Sequence, residues 1–494
     1  MVIGFTAYHT VLHVSYGIDS CKWLLSDGRF QGYHVWQPYG CMLHNYSRTD
    51  SRMCMRYIAY WGGKNTIVFM GDSRIRQIYT ALSNLISTRP VEDPSHVEKD
   101  LNLDLQFKHF PILNSSVSQA FEYWSGQDPK NRPKIIVTGC GIQSIKENNA
   151  SSQSLADYKT NLTLLLPEID KLSGSGSSQI LWLLQHPVKE EKLSEENSMI
   201  TNEQIDLYNK AALDVLKYVS RNVHVWSSSR LLSQGWSHDQ EDGIHMGSVA
   251  LGYSVQILLN MYCNDQMNFN DGSCCSDPEP VTGIQIMTFV FYGVTCVIAV
   301  TITFYKWFFT RRYRDFELLM NQDSEGTEME ELIMDGDVSS CPSPPPVPGI
   351  AVEVRNPDNK AKSYSELLNC LAKISLIMIY AFVCDRTNFF MKENKYYTAP
   401  NYFLPIAYVF ALGLFFTDES KSSAVLHQDQ MDECKGWLML VILSYNMTGA
   451  AQVLSIYVDY HLLVTSYLFI FGFQHFQYFW HKGDSGFRRL WQVS

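Results

Sequence analysis

The spacing of apolar and polar positions divides this chain in two. Between about residues 65 and 262, short apolar runs alternate with amphipathic stretches. Residues 66–70, 134–138, 180–184 and 223–226 read as buried strands, and helical spacing covers about 73–86, 154–172, 202–219 and 247–262. Apolar strands between amphipathic helices predict an α/β architecture, a parallel sheet covered on both faces. Functional residues then belong at the carboxyl ends of the strands. A Gly/Ser loop is expected at about 174–178 and another loop at 242–246.

After residue 281 the apolar runs lengthen. Residues 284–305 supply the ~20 apolar positions that a bilayer core requires. Lys306, Arg311, Arg312 and Arg314 follow at once, and the positive-inside tendency makes that end cytosolic and the preceding domain lumenal. Residues 315–362 carry Glu325, Glu328, Glu330 and Glu331 and a Pro-Ser run ending at Pro346, a composition that cannot bury a core. Further spans are expected at about 367–384, 403–416, 436–457 and 462–480. The loop 385–401 carries Arg386, Lys392 and Lys395, which sits awkwardly with a lumenal side. The expected organisation is an unassigned segment 1–19, an α/β domain 20–277, a first span 284–305, a cytosolic linker 315–362 and a partial multi-span domain 363–494. Residues 1–16 are fairly apolar but hold His9 and His13 and no basic flank, so they make a poor signal peptide.

Composition adds constraints. A net charge of −11 with only short basic clusters excludes nucleic acid and anionic lipid surfaces as main partners, leaving membrane lipid as the surroundings of the spans. Of the 12 cysteines, Cys21, Cys41, Cys54, Cys140, Cys263, Cys274 and Cys275 precede the first span. None has zinc-type spacing, so no metal is expected. Sequons at Asn45, Asn114, Asn149 and Asn161, together with early and late cysteines suited to disulfides, indicate a lumenal or extracellular compartment.

Two short motifs carry the chemistry. Gly71-Asp72-Ser73 lies between a strand and a helix, where free backbone N–H groups can stabilise an oxyanion and small Gly71 leaves room for substrate. In Asp242-x-x-His245, residues three apart in a helical turn share a face. Asp242 can then hold one imidazole nitrogen while His245 presents the other to Ser73. Each motif alone has a plainer reading, Asp72 and Ser73 as helix caps and Asp242 and His245 as turn residues. Their joint occurrence on one α/β scaffold favours the site. His224 and His238 are rival bases without an aspartate at that spacing. Gln474 and His475 lie inside an aromatic span, with Lys482 and Asp484 at its cytosolic end. Helix–helix hydrogen bonding and flanking charge account for them more plainly than function does.

The two motifs together resemble the SGNH/GDSL hydrolase-type fold. More narrowly, Asp72-Ser73-Arg74-Ile75-Arg76-Gln77 resembles the sialate O-acetyltransferases of animal Golgi membranes, relatives of fungal capsule-synthesis proteins and, more remotely, of plant wall-polysaccharide O-acetyltransferases. Trp36-Gln37-Pro38, Ser144-Ile145-Lys146, Ile200-Thr201-Asn202-Glu203, Asp271-Gly272-Ser273-Cys274-Cys275, Met391-Lys392-Glu393-Asn394-Lys395 and Lys435-Gly436-Trp437 extend the match from about residue 20 to the end. The resemblance implies transfer of acetyl from acetyl-CoA, as donor substrate rather than bound cofactor, to a hydroxyl of sialic acid in CMP-activated or glycan-linked form. It implies Ser73 as nucleophile, His245 as base, Asp242 as its orienter, and a multi-pass Golgi membrane location with the site in the lumen. Arg74 and Arg76 are candidate ligands of the sugar, with sheet-edge support as the alternative for Arg76.

The chain departs from the family in three places. Where the fold usually has a Gly-x-Asn-Asp block, this chain reads Gly139-Cys140-Gly141-Ile142-Gln143, so the oxyanion hole is expected from backbone N–H groups of Ser73 and Gly139 or Gly141, or from another side chain. The usual N-terminal anchor is not evident before Cys21. The family has more spans after Trp480, so the chain is expected to stop within its membrane domain. Two other functions share these features: a carbohydrate O-acetyl esterase, and an inactive glycan-binding or regulatory form.

Overall fold

The computed structural model describes the chain apart from residues 1, 18, 33–34, 89–92, 148–150, 175–177, 218–222, 268–271, 277–279, 324–356, 388, 417–427 and 483–494. Most of the expected Gly/Ser loop, the core of the acidic linker, the helix end at 219, Asn149, Asp271 and Asp484 lie outside the described residues. The chain divides into two compact units: Met1–Asp19 with Asn264–Met391, and Ser20–Cys263 with Lys392–Ser494.

The second unit holds the α/β sheet. Helix α2 (Ser20–Ser26) leads to a hairpin, β1 (Gly28–Gln31) and β2 (Val35–Pro38), and then to α3 (Arg48–Tyr60). Next come β3 (Asn65–Gly71), α4 (Ser73–Ile86), β4 (Ser95–Glu98), β5 (Leu103–His109), α5 (Ser115–Ser125) and β6 (Ile135–Gly139). Then follow α6 (Ile142–Glu147), α7 (Ser152–Gly174), β7 (Gln179–Leu183), α8 (Asn202–Leu216), β8 (Val223–Trp226), α9 (Ser228–Gly235) and α10 (Ser248–Met267). The sheet order is β4-β5-β3-β6-β7-β8, parallel except for edge strand β4. Residues Val68, Met70, Ile136, Ile180 and Trp182 build one core with α5, α7 and α8, while α4 packs on β3 and β5 from the other face.

Sequence periodicity missed the hairpin strands β1 and β2 and two strands of the main sheet, β4 and β5. Leu103, Leu105 and Phe107 alternate with Asp104 and Gln106, so β5 has one apolar face rather than a continuous apolar run. Short β4 is polar, as an exposed antiparallel edge can be. These strands also decide where the site lies. From β3 the chain goes first to β5 on one side and then to β6 on the other. The carboxyl end of β3 is therefore a topological switch point, the place where open α/β sheets form a crevice.

The same unit continues through α13 (Ala399–Phe415), α14 (Gln428–Thr448) and α15 (Leu454–Lys482), and the first unit holds α1 (Val2–Tyr16), α11 (Gly283–Asp323) and α12 (Pro357–Arg386). Segments Gly283–Phe309, Glu366–Cys384 and Leu454–Gln477 are long and apolar enough to cross a membrane, and Ala399–Phe415 is a shorter apolar helix. The span expected over 436–457 does not form as one helix. Gly449, at φ +69°, breaks it between α14 and α15 because a left-handed residue cannot continue the ladder. Tyr445 and Tyr460 stack across this break with ring centroids 3.8 Å apart. Near the other end Gln474 donates to Asp432 at 3.0 Å and accepts from Lys435, the helix–helix hydrogen bonding that was its plainer reading.

The loop 392–396 is bound to the hairpin and to the segment after it in its own unit. Asn394 donates to the Leu43 carbonyl (3.0 Å) and accepts from the Leu43 N–H (2.7 Å), its own N–H reaches Gln37 (3.0 Å), and Glu393 pairs with Arg29 (2.5 Å). Lys395 Nζ donates to the Asn446 carbonyl at 2.6 Å. Of the charges that sit awkwardly with a lumenal loop, Lys395 therefore has a local partner.

Candidate active site

Strand β3 ends at Gly71, and nothing larger fits there. A Cβ would stand 2.6 Å from the Gly139 carbonyl oxygen and 2.6 Å from Ile75 Cγ1. Close strand packing, rather than room for substrate, is what requires this glycine. Asp72 caps α4 by accepting the Arg74 N–H at 3.0 Å. Ser73 is the first residue of α4 and is exposed, with a backbone N–H that has no partner within its own helix.

The second motif is a loop rather than a helical turn. Asp242 Oδ1 accepts the N–H groups of Ile244 and His245, each at 2.9 Å, and this folds the carboxylate back against the His245 ring. Oδ2 accepts Nδ1–H of His245 at 2.5 Å, and Ser73 Oγ donates to His245 Nε2 at 2.9 Å. Gly243 makes the turn possible at φ +76°, where a Cβ would lie 2.7 Å from the Lys189 carbonyl oxygen. Burial pushes the Asp242 carboxyl up, but the N–H and ring donors of His245 and the Ile244 N–H outweigh it, holding the group at about 2. That depressed value favours the folded loop above the ordinary carboxylate range, a contribution lost as pH falls through about 2.

Ser73, His245 and Asp242 are thus brought together. Gly139 ends β6 in register with Gly71, and Gly141 opens the turn into α6, so both lie at the same edge of the sheet as Ser73. Between them Cys140 is buried, and burial raises its thiol well above the usual range. Arg76, one turn beyond Ser73, is exposed with its guanidinium 5.9 Å from the centroid of Phe107. Arg74 is not available to a sugar. It is 2% exposed, and Nη1 donates to the His186 carbonyl (2.8 Å) and to Gln185 (3.2 Å). Burial lowers its pKa to about 10 against the pull of Asp72 and Asp242. His224 lies within β8 and His238 stacks beside Trp236, both apart from the Ser73 pair.

Sequence reasoning missed Gln77 and His186. Gln77, four residues beyond Ser73, brackets Met246 by accepting its N–H at 3.1 Å and donating to its carbonyl at 2.7 Å. His186 Nε2–H donates to the Ile244 carbonyl at 2.9 Å. The available signals were an amide at helical spacing from Ser73 and a histidine just beyond the carboxyl end of β7.

Of the sequons, Asn45 is exposed and Asn114 is exposed while capping α5, whereas the Asn161 amide donates to the Leu113 carbonyl at 2.8 Å. Cys54 and Cys263 form a disulfide, and Cys21, Cys41, Cys274 and Cys275 are also disulfide-bonded.

A mostly parallel sheet with a Ser at the head of the helix that follows β3 and a late Asp-x-x-His loop is an α/β domain of the SGNH/GDSL class, and apolar helices capable of spanning a membrane follow it. Residues 267–494 match the family described as the 10 TM Acyl Transferase domain found in Cas1p. Over 496 aligned residues the chain is 34% identical to the N-acetylneuraminate (7)9-O-acetyltransferase of Danio rerio, covering 100% of this chain and 58% of that relative. The chain therefore spans less than two thirds of that relative's length. Among solved structures, an acetylxylan esterase from Geobacillus stearothermophilus is 12% identical with TM-score 0.27, covering 40% of this chain and 95% of its own. A protein described as a GDSL-like lipase from Parabacteroides merdae is 15% identical, again with TM-score 0.27 and coverage of 40% and 95%.

Proposed function

We propose that the chain transfers acetyl from acetyl-CoA to a hydroxyl of sialic acid, CMP-activated or glycan-linked, through Ser73, His245 and Asp242. The observation that carries this reading is the continuous hydrogen-bonded line from Ser73 Oγ through His245 to Asp242, at 2.9 and 2.5 Å. The activity named for the Danio rerio relative supports the substrate. Ser73 Oγ attacks the thioester carbonyl while His245 Nε2 takes its proton, and the proton then goes to the departing CoA sulfur. The sugar hydroxyl attacks the acetyl-serine, His245 takes that proton, and it returns to Ser73 as the ester is released. The N–H groups of Ser73 and of Gly139 or Gly141 face the oxyanion, and Arg76 meets the sugar carboxylate. No metal enters the scheme.

Membranes carrying the chain, given labelled acetyl-CoA and CMP-sialic acid or a sialylated acceptor, are expected to form labelled sialate ester. Absence of product with every acceptor overturns the reading. One observation favours an esterase as the second reading: Ser73 is exposed, with side chains of His245 and Asp242 34% and 50% exposed, so water has access to an acetyl-serine. Release of acetate from O-acetylated sialic acid, indifferent to acetyl-CoA, marks that outcome.

The domain 20–277 is placed in the Golgi lumen in this scheme, ahead of the span 284–305, the cytosolic linker 315–362 and the multi-span segment 363–494. The bonds from loop 392–396 to Gln37 and Leu43 support a topology with that loop, and the Gly449 turn that Lys395 touches, on the domain's side of the membrane. A cysteine introduced at exposed Ala451 is expected to react with an impermeant maleimide only after sealed Golgi vesicles are opened, as one at exposed Tyr60 does. Reaction at Ala451 in sealed vesicles contradicts this topology.

A further inference from the structure

The His245 loop is fixed from beneath by a buried group that takes no part in the proton transfers above. His186 is 1% exposed. Its Nε2–H donates at 2.9 Å to the Ile244 carbonyl, which belongs to the peptide joining Ile244 to His245. The N–H of that peptide donates to Asp242 Oδ1, also at 2.9 Å. One peptide plane, carrying the His245 Cα, is therefore held on both edges. Gln77 holds the next residue, Met246, by both backbone groups.

His186 is itself held. Arg74 Nη1 donates to its carbonyl at 2.8 Å and to the Gln185 side chain at 3.2 Å. The Asn209 amide brackets the Gln185 backbone, accepting its N–H and donating to its carbonyl, each at 2.8 Å. Arg74 lies one residue beyond Ser73 on α4. The chain Ser73–Arg74–His186–Ile244–His245 thus links nucleophile and base through the protein interior, beside their direct contact at 2.9 Å. The charged and titratable groups acting on His186 are Arg74, His245 and Arg230, all basic, and with burial they keep its ring neutral. A neutral ring with its proton on Nε2 is the form that donates to Ile244. Among the described residues its Nδ1 has no hydrogen-bond partner, so no neighbour draws the proton to the other nitrogen.

We propose that His186, held by Arg74, is the positioning residue of this site, setting the height and angle at which His245 meets Ser73. The inference rests on the Ser73–His245–Asp242 reading. A reacting group displaced by ~1 Å costs on the order of 10²-fold in rate. Gln can place an amide N–H near the position of Nε2, so His186→Gln preserves the donor and removes the ring, whereas His186→Leu removes the donor.

The test is the rate at which a fluorophosphonate probe labels the full-length chain in membranes, measured across pH, with labelled amplitude scored separately from rate. His186→Leu is expected to slow labelling ~10–100-fold at unchanged amplitude, and His186→Gln to recover most of that rate with the wild-type pH profile. A fall in amplitude alone marks a folding role and overturns the proposal. So does a His186→Gln variant as slow as His186→Leu, because the ring itself is then what matters. If the wild type does not label, or Ser73→Ala labels equally, the parent reading fails instead.

Discussion

Ser73→Ala is expected to lower acetyl transfer by at least ~10³-fold and to abolish fluorophosphonate labelling, with the protein still folded. Ser73 is exposed at the first position of α4, and its hydroxyl is hydrogen-bonded to His245 Nε2. Alanine is at least as favourable as serine inside a helix, and the cap comes from Asp72, which is unchanged. A large activity loss therefore cannot be charged to unfolding. What disappears is the atom that carries acetyl between donor and acceptor. Direct attack by the sugar hydroxyl on acetyl-CoA would still have His245 as base, which predicts a much smaller loss. The size of the effect thus distinguishes a covalent route from a direct one. Asp242→Asn should approach the same floor, because an amide facing Nδ1 stabilises the wrong tautomer of His245. The double variant should be little worse than either single one, since the three residues act as a unit. Assay of labelled sialate ester in membranes with matched protein levels checks all three.

How much of this was legible in the sequence depended on distance along the chain. Gly71-Asp72-Ser73 and Asp242-x-x-His245 are local motifs, so the residues of the candidate site could be named before any fold was known. Their local geometry was less legible. The Asp242–His245 contact comes from a side chain capping its own loop, not from helical facing, because Gly243 at φ +76° turns the chain instead of continuing it. Arg74 and Arg76 looked alike in sequence. Their opposite fates follow from which face of α4 meets β3, a fact that no two-residue spacing contains. The supporting bonds from Gln77 to Met246 and from His186 to Ile244 join residues 169 and 58 apart, beyond the reach of periodicity. Strand β5 is less legible because a half-covered strand alternates apolar and polar residues, whereas the strands buried on both faces are continuous apolar runs.

Removing the Cys54–Cys263 disulfide is expected to be the largest stability change available to the α/β domain. Both cysteines are fully buried, and the bond closes 209 residues of chain. Loop-closure entropy for a ring of that size corresponds to at most about 5 kcal/mol, because the disulfides of Cys21, Cys41, Cys274 and Cys275 still constrain the unfolded chain. For a domain of this size each kcal/mol shifts the midpoint by ~2–4 °C, so the expected fall is at most on the order of 10–20 °C. The consequence reaches the site because of what the bond anchors. Cys263 lies on α10, whose first residue follows the His245 loop by two positions. The same helix is tied to the segment before α3 by paired amide bonds, Asn260 to both backbone groups of His44 and Gln256 to both of Tyr46. Those bonds orient α10 in the folded state, whereas the disulfide acts mainly by restricting the unfolded chain. The variant with both cysteines replaced by alanine should therefore keep its serine-probe labelling rate at low temperature and lose labelling at a much lower temperature on heating. A single replacement would leave an unpaired thiol, which is why both are changed. An unaltered thermal profile would show that the amide ties suffice alone. A depressed labelling rate at low temperature would show that the disulfide also positions His245.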